Sequence, residues 1–117
     1  MHLDEILSFC LSLKGTTEHF PFDQRTLVFK VMGKIYALID VETPDSINLK
    51  CNPERANELR ERYASIQPGY HMNKKHWNTV LLNNELNAKE IQDLIVHSYE
   101  LVVSSLPKQV QHELSAG

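Results

Sequence analysis

Leu27-Val28-Phe29-Lys30-Val31-Met32-Gly33-Lys34-Ile35-Tyr36-Ala37-Leu38-Ile39-Asp40-Val41 is the stretch that decides the fold. Two runs rich in β-branched and aromatic residues flank one glycine, and such side chains suit a pleated, half-buried surface. Glycine first in a two-residue loop suits a type II′ turn, so Gly33-Lys34 is expected to close a hairpin. The expected register pairs Met32 with Ile35 and Lys30 with Ala37. Leu27, Phe29, Val31, Tyr36 and Leu38 then form a core face. Val28, Lys30, Met32, Ile35, Ala37 and Ile39 form the other, half-apolar with Lys30 at its centre. An isolated hairpin is marginal in water, so other elements must cover it.

Working outward, Glu42-Thr43-Pro44-Asp45 carries turn-forming residues. Ser46 to Cys51 alternates strictly, with Ile47, Leu49 and Cys51 inward and Asn48 and Lys50 outward. Asn52-Pro53 then reads as an N-cap followed by proline at the first helical position. Ala56, Leu59, Tyr63 and Ile66 form that helix's apolar stripe, and Gln67-Pro68-Gly69 stops it. Trp77 to Leu82 reads as a strand. Asn87 with Glu90 makes a capping box, with Leu86 stapled to Ile91, ahead of the stripe Ile91, Leu94, Ile95, Tyr99, Val102 and Leu106. Pro107 ends the pattern, leaving a tail that is either a short polar helix or frayed. Upstream, Leu3, Ile6, Leu7, Cys10 and Leu11 give a first helix over 3–14, with Gly15 as its left-handed terminator. Residues 16–25 read as a loop whose Phe20-Pro21-Phe22 is pinned to the core. The order α-β-β-β-α-β-α predicts an α+β domain: an antiparallel sheet with helices packed on one face and the other face at least partly open.

At 117 residues the chain is expected to form one domain, 1–117. Its apolar runs are far too short to span a bilayer. The N-terminus places Asp4-Glu5 where a signal peptide avoids acids. Cys10 and Cys51 fall at apolar-patterned positions without CxxC spacing, which predicts reduced, buried thiols and a cytoplasmic setting. A net charge of −3 conceals an uneven distribution. Residues 53–84 carry five bases and three acids, whereas 85–117 carry two bases and five acids. The excess of positive charge therefore surrounds Pro68-Gly69-Tyr70-His71-Met72-Asn73-Lys74-Lys75-His76-Trp77-Asn78-Thr79-Val80. That segment holds the only tryptophan and no acid.

Catalytic readings find little support. There is no G-x-S-x-G nucleophile motif, no paired carboxylate in the one dense polar segment and no glycine-rich phosphate loop. The chain is read as not an enzyme. His71 and His76 lack third and fourth ligands, so neither a metal nor another cofactor is expected. Contact with an anion or nucleic acid fits the donors better. Lys30, Lys50, Lys74 and Lys75 would neutralise phosphates, and Asn48, His71, Asn73 and His76 would hydrogen-bond. Tyr70 and Trp77 would supply faces for stacking, with anchoring of the core as the other role for Trp77.

Several of these residues belong to a wider pattern. Phe20-Pro21-Phe22, Lys30-Val31 before Gly33-Lys34, Asn48-Leu49-Lys50-Cys51 with Pro53, the long segment from Pro68 to Val80, Ser98-Tyr99 and Leu106-Pro107 together resemble the MmcQ/YjbR-like family of small bacterial proteins. The resemblance spans nearly the whole chain. It implies a CyaY-like (frataxin-like) α+β fold and DNA binding through a double-wing arrangement, with no catalytic residues, cofactor or reaction. The acidic ridge that frataxin-like iron binding uses is missing from the first helix. The expected function is a noncatalytic cytosolic binding module that contacts DNA through the open sheet face and the 68–80 loop. A protein-interaction adaptor and a binder of a small phosphorylated ligand are the alternatives. A monomer is expected, with a dimer as the other possibility.

Overall fold

A computed structural model describes residues 1–117. Its elements are α1 (Leu3–Ser12), β1 (Thr16–His19), β2 (Thr26–Val31), β3 (Lys34–Asp40), β4 (Ser46–Lys50), α2 (Pro53–Arg62), β5 (Ile66–Pro68), β6 (Trp77–Leu81), α3 (Ala88–Ser105) and α4 (Lys108–Ala116). All neighbouring strands are antiparallel, in the spatial order β1-β2-β3-β4-β6-β5.

The hairpin forms, but one residue away from the expected place. Met32 and Gly33 both have positive φ, 49° and 85°. That is the requirement of a type I′ loop at Met32-Gly33, not a type II′ loop at Gly33-Lys34. Val31 accordingly pairs with Lys34 and Lys30 with Ile35. Phe29 then pairs with Ala37, which leaves Tyr36 as the extra residue of a β-bulge. One extra residue moves the alternation of the strand by one. Leu27, Phe29, Val31 and Tyr36 stay on the core side as expected, and Ala37 and Ile39 join them. Leu38 moves to the other face, opposite Val28.

Ser98 repairs the break that the bulge makes. Ladder pairing between β3 and β4 covers Ala37 to Ile39 and stops short of Tyr36. The buried Ser98 hydroxyl donates to the Tyr36 carbonyl (2.5 Å) and accepts from the Lys50 N–H (2.9 Å). One side chain of α3 thereby satisfies two backbone groups that the sheet cannot pair. The Tyr36 ring packs edge-on against Tyr99, with centroids 5.4 Å apart, and its hydroxyl reaches the Cys10 carbonyl. Tyr36 thus joins β3 to α1 and α3 at once. Leu114 of α4 enters the same core, and Arg60 of α2 bonds Asn78. Asn78 pairs with core-facing Leu49, so all four helices lie on one side of the sheet.

Two strands and a helix add to the expected order, which becomes α-β-β-β-β-α-β-β-α-α. The polar Thr16–His19 shows no apolar alternation, yet it pairs along β2 as an edge strand. Ile66 is not the last turn of a helix, because α2 stops at Arg62 and Tyr63 is already extended. Ile66 instead starts a three-residue strand on β6 and is buried there. Likewise α1 ends at Ser12, and Gly15 (φ 77°) turns the chain into β1. The polar tail folds as α4, and Lys14 donates to its Ser115 carbonyl.

The helix starts are those expected. Asn87 and Glu90 exchange side-chain and backbone hydrogen bonds in a capping box, and Asn52 caps α2 ahead of Pro53. Cys10 and Cys51 are free, buried thiols, and burial pushes the Cys10 thiol up to about 12. No helix is long and apolar enough to cross a membrane.

Candidate functional site

The site begins with the sheet face that the helices do not cover. Strand register places Val28 and Lys30 of β2, Ile35 and Leu38 of β3, Asn48 and Lys50 of β4, and Trp77 and Thr79 of β6 on it. A groove of about 590 Å³ runs along this face. Leu38, Asn48 and Ile35 line its floor, Phe22 one wall, and Tyr70, His71 and Met72 the other. Asp40 and Asp45 close the end nearest the β3–β4 turn. That end is partly neutralised, since Arg25 bridges Asp40 (2.7 Å) and Glu42 (3.2 Å). The Arg25 guanidinium, helped by backbone N–H donors, holds the Asp40 carboxyl at about 2.

Phe20-Pro21-Phe22 is not pinned to the core. Phe20 is 49% exposed and Phe22 67%. There is no second helical layer on this side for the rings to pack beneath, so Phe22 stands as a wall.

The opposite wall is held by its own polar groups. A Cβ on Gly69 would lie 2.8 Å from Trp77 Cβ and 3.0 Å from its carbonyl oxygen, so only glycine fits where the loop closes on β6. Asn73 Oδ1 accepts from the backbone N–H of Lys75 and His76, and the Asn73 carbonyl accepts from Trp77 N–H. Lys74 Nζ donates to the Gly69 carbonyl at 3.2 Å. Arg60 locks the base of the loop from α2. It donates to Asn78 Oδ1 (2.7 Å), to the Trp77 carbonyl (3.0 Å) and to the Lys74 carbonyl. The result presents Tyr70, 69% exposed, beside His71, with ring centroids 4.0 Å apart. His71 holds a left-handed φ of 59°.

The candidate contacts separate into three groups. Asn48 and His71 line the groove itself. Lys30 and Lys50 share the open face at the end from which the 69–76 loop springs, two strands apart, or roughly 10 Å. Trp77 is the cross-strand partner of Lys50 and is half-buried, so it braces this corner as well as bordering it. Asn73 and Lys74 spend their polar groups on the loop backbone. Lys75 is exposed and His76 half-buried, and neither lines the groove. The dense cationic segment is thus mainly a self-bonded wall, and the groove it borders is less basic than the sequence suggests.

Tyr70 borders the groove as a stacking face, as expected, whereas Arg60, Thr79 and Leu38 matter more than sequence reasoning expected. Arg60 stands among the charged residues of α2, between Glu58 and Glu61, and nothing local marks it as the loop anchor. Thr79 does carry a signal, because it lies two residues after Trp77 on the same strand face.

These features define a small α+β domain: a six-stranded antiparallel sheet with four helices on one face and a loop-walled groove on the other. The chain belongs to the YjbR family, whose family model matches residues 11–101. It is 32% identical over 110 residues to the uncharacterized protein YjbR of Escherichia coli (strain K12), covering 93% of each chain. It is 40% identical over 99 residues to the uncharacterized protein YbdF of Escherichia coli O157:H7, covering 84% of this chain and 81% of that one. The crystal structure of Deinococcus radiodurans protein DR2400, with domain DUF419, superposes with a TM-score of 0.90 at 43% identity. That match covers 97% of this chain and 87% of the other. A Pseudomonas syringae protein of known crystal structure gives a TM-score of 0.74 at 34% identity, over 86% of this chain and 98% of that one.

Proposed function

We propose that this protein is a noncatalytic, cytoplasmic binding module that holds single-stranded nucleic acid on its open sheet face. The observation that carries this reading is the groove between two exposed aromatic side chains, Phe22 and Tyr70, with Lys30 and Lys50 on the same sheet face beside it. Unpaired bases have π-faces that stack on such rings, and backbone phosphates pair with the neighbouring lysines. The loops at 20–25 and 69–76 then act as two wings around the strand. Single strands suit the site better than duplex. No helix or ribbon projects from this face to enter a major groove, and Asp40 and Asp45 would repel a second phosphate backbone.

The test is fluorescence anisotropy at low salt with matched single-stranded and duplex oligonucleotides. Single strands bind more tightly, Tyr70→Ala weakens binding about tenfold through lost stacking, and Lys50→Ala lowers the salt slope by about one. Absence of binding to any single strand at low salt overturns the reading. The exposure of Phe20 and Phe22 favours a second reading, a protein-interaction adaptor. On that reading Phe22→Ala abolishes capture of one stoichiometric protein partner while oligonucleotides do not compete.

A further inference from the structure

We infer that the groove floor discriminates among bases, favouring those whose edge presents keto oxygens (thymine, uracil or guanine) over adenine. This inference rests on the single-strand reading above and names the chemistry that the same groove selects.

The argument starts at the Tyr70 backbone. Its N–H donates to Thr79 Oγ1 at 2.9 Å. With that lone pair engaged, the Thr79 hydroxyl turns its proton to Asn48 Oδ1, 2.5 Å away. The Tyr70 N–H can only donate, and a separation of 2.5 Å suits an O–H···O bond and is too short for an N–H···O one, so the Thr79 hydroxyl meets the amide oxygen of Asn48. The chain therefore settles the orientation of the Asn48 amide. Its oxygen end faces β6, and its nitrogen end points away from Thr79. Asn48 lines the groove, and the one hydrogen bond of its side chain is that from Thr79 to Oδ1, which leaves Nδ2 for a ligand.

Asparagine reads adenine by using both ends of its amide, the nitrogen to N7 and the oxygen to the N6 amine. Here Thr79 already engages the oxygen and holds it towards β6. What remains for a ligand is a pair of N–H donors next to the apolar side chain of Leu38. The other acceptors of the lining, Asp40, Asp45 and the hydroxyls of Thr26, Thr43 and Ser46, lie towards the β3–β4 turn, at least one side-chain position along from Asn48. Asp40 is bonded to Arg25 and to the N–H groups of Glu42 and Thr43. A donor-only contact at Asn48 matches a bare carbonyl oxygen and leaves the N6 amine of adenine unpaired there, which is costly once buried. The wall that stacks a base and the side chain that reads it thus share one hydroxyl, that of Thr79.

The experiment compares oligothymidine and oligoadenosine of equal length, about a dozen nucleotides, on the full chain by anisotropy at one salt concentration. The expected result is binding of both, with thymidine tighter by about fivefold, the worth of one net hydrogen bond. In Asn48→Asp the Thr79 bond is kept and the donors become an acceptor. The added charge weakens both oligonucleotides alike, so the ratio of affinities is the readout, and it falls to one or reverses. Thr79→Val frees the amide to turn over, and there the ratio also shrinks while overall binding persists. Circular dichroism melts verify that each variant is folded. Equal wild-type affinities, or a ratio untouched by Asn48→Asp, overturn the inference and leave the single-strand reading standing. Failure of the wild type to bind either oligonucleotide overturns that reading itself.

Discussion

Both faces of the sheet carry apolar side chains, yet they are finished differently. On the helix side, Phe29, Tyr36, Ile47 and Ile95 are wholly buried within one continuous cluster. On the open side, Leu38 is 7% exposed, lies outside that cluster, and is flanked by loops that stop short of closing over it. The first face is a core that four helices complete. The second is a floor that loops turn into a groove. Burial alone does not separate them, and what does is the identity of the covering layer: packed stripes of helices, or wings held by backbone hydrogen bonds.

The largest test of that contrast is a pair of truncations. Phe29→Ala should cost about 3–5 kcal/mol, because a cavity opens in a surrounding that relaxes poorly. Leu38→Ala should cost about 2 kcal/mol, since its neighbourhood already opens to solvent. Urea unfolding reads both, and equal losses would mean that the open face is as much core as the other. A smaller effect is expected at the loop anchor. Arg60→Met should lower stability by about 2 kcal/mol by leaving buried Asn78 Oδ1 and two carbonyls short of a donor. Hydrogen exchange should rise across residues 69–77 and stay unchanged in α3, whereas uniform exchange would show that the wall is not a separate unit. Arg60→Lys should recover only part of the loss, because an ammonium cannot reproduce the fork of donors.

The smallest effect lies at the acidic end of the groove. Asp40 is held at about 2, below its ordinary 3.8, first by its hydrogen bond from Arg25. A depressed folded-state value contributes stability that is complete above 3.8 and is lost as pH falls through about 2. The urea midpoint of the wild type should therefore decline through that window, and Asp40→Asn should flatten the decline. Because the pair is exposed, added salt should shrink the difference. Loss of groove binding by Asp40→Asn at neutral pH would show instead that the acid end contacts the ligand.

Legibility followed the range of the interactions involved. Asn87 and Glu90, Asn52 and Pro53, and the alternation of Ile47, Leu49 and Cys51 were readable because each depends on residues a few positions apart. The hairpin loop was misplaced by one residue. Nothing local requires Met32 to adopt a left-handed φ, and the choice is settled by what the bulge at Tyr36 allows on both faces. The two edge strands are not legible because β1 and β5 are short, carry no apolar alternation of their own, and form only by pairing with the strands that follow them across the loops at 20–25 and 69–76. In the candidate site, Asn48, Lys30 and Lys50 were placed on the open face correctly, by alternation. Asn73 and Lys74 read as ligand donors because a sequence shows which groups can donate and does not show which have already done so.

By itself the sequence determined the family, the helix starts, the inward face of β4 and the composition of the 68–80 segment. These are local, since capping and two-residue periodicity act through neighbouring backbone groups. Only the tertiary structure decided that Arg60 would bind the base of a loop, that Ser98 would bridge a broken ladder, and that Tyr70 and Thr79 would orient Asn48. Each of these joins a polar group to a partner on another element. Such pairings are selected by the cost of leaving a buried donor or acceptor alone once the sheet and helices have packed.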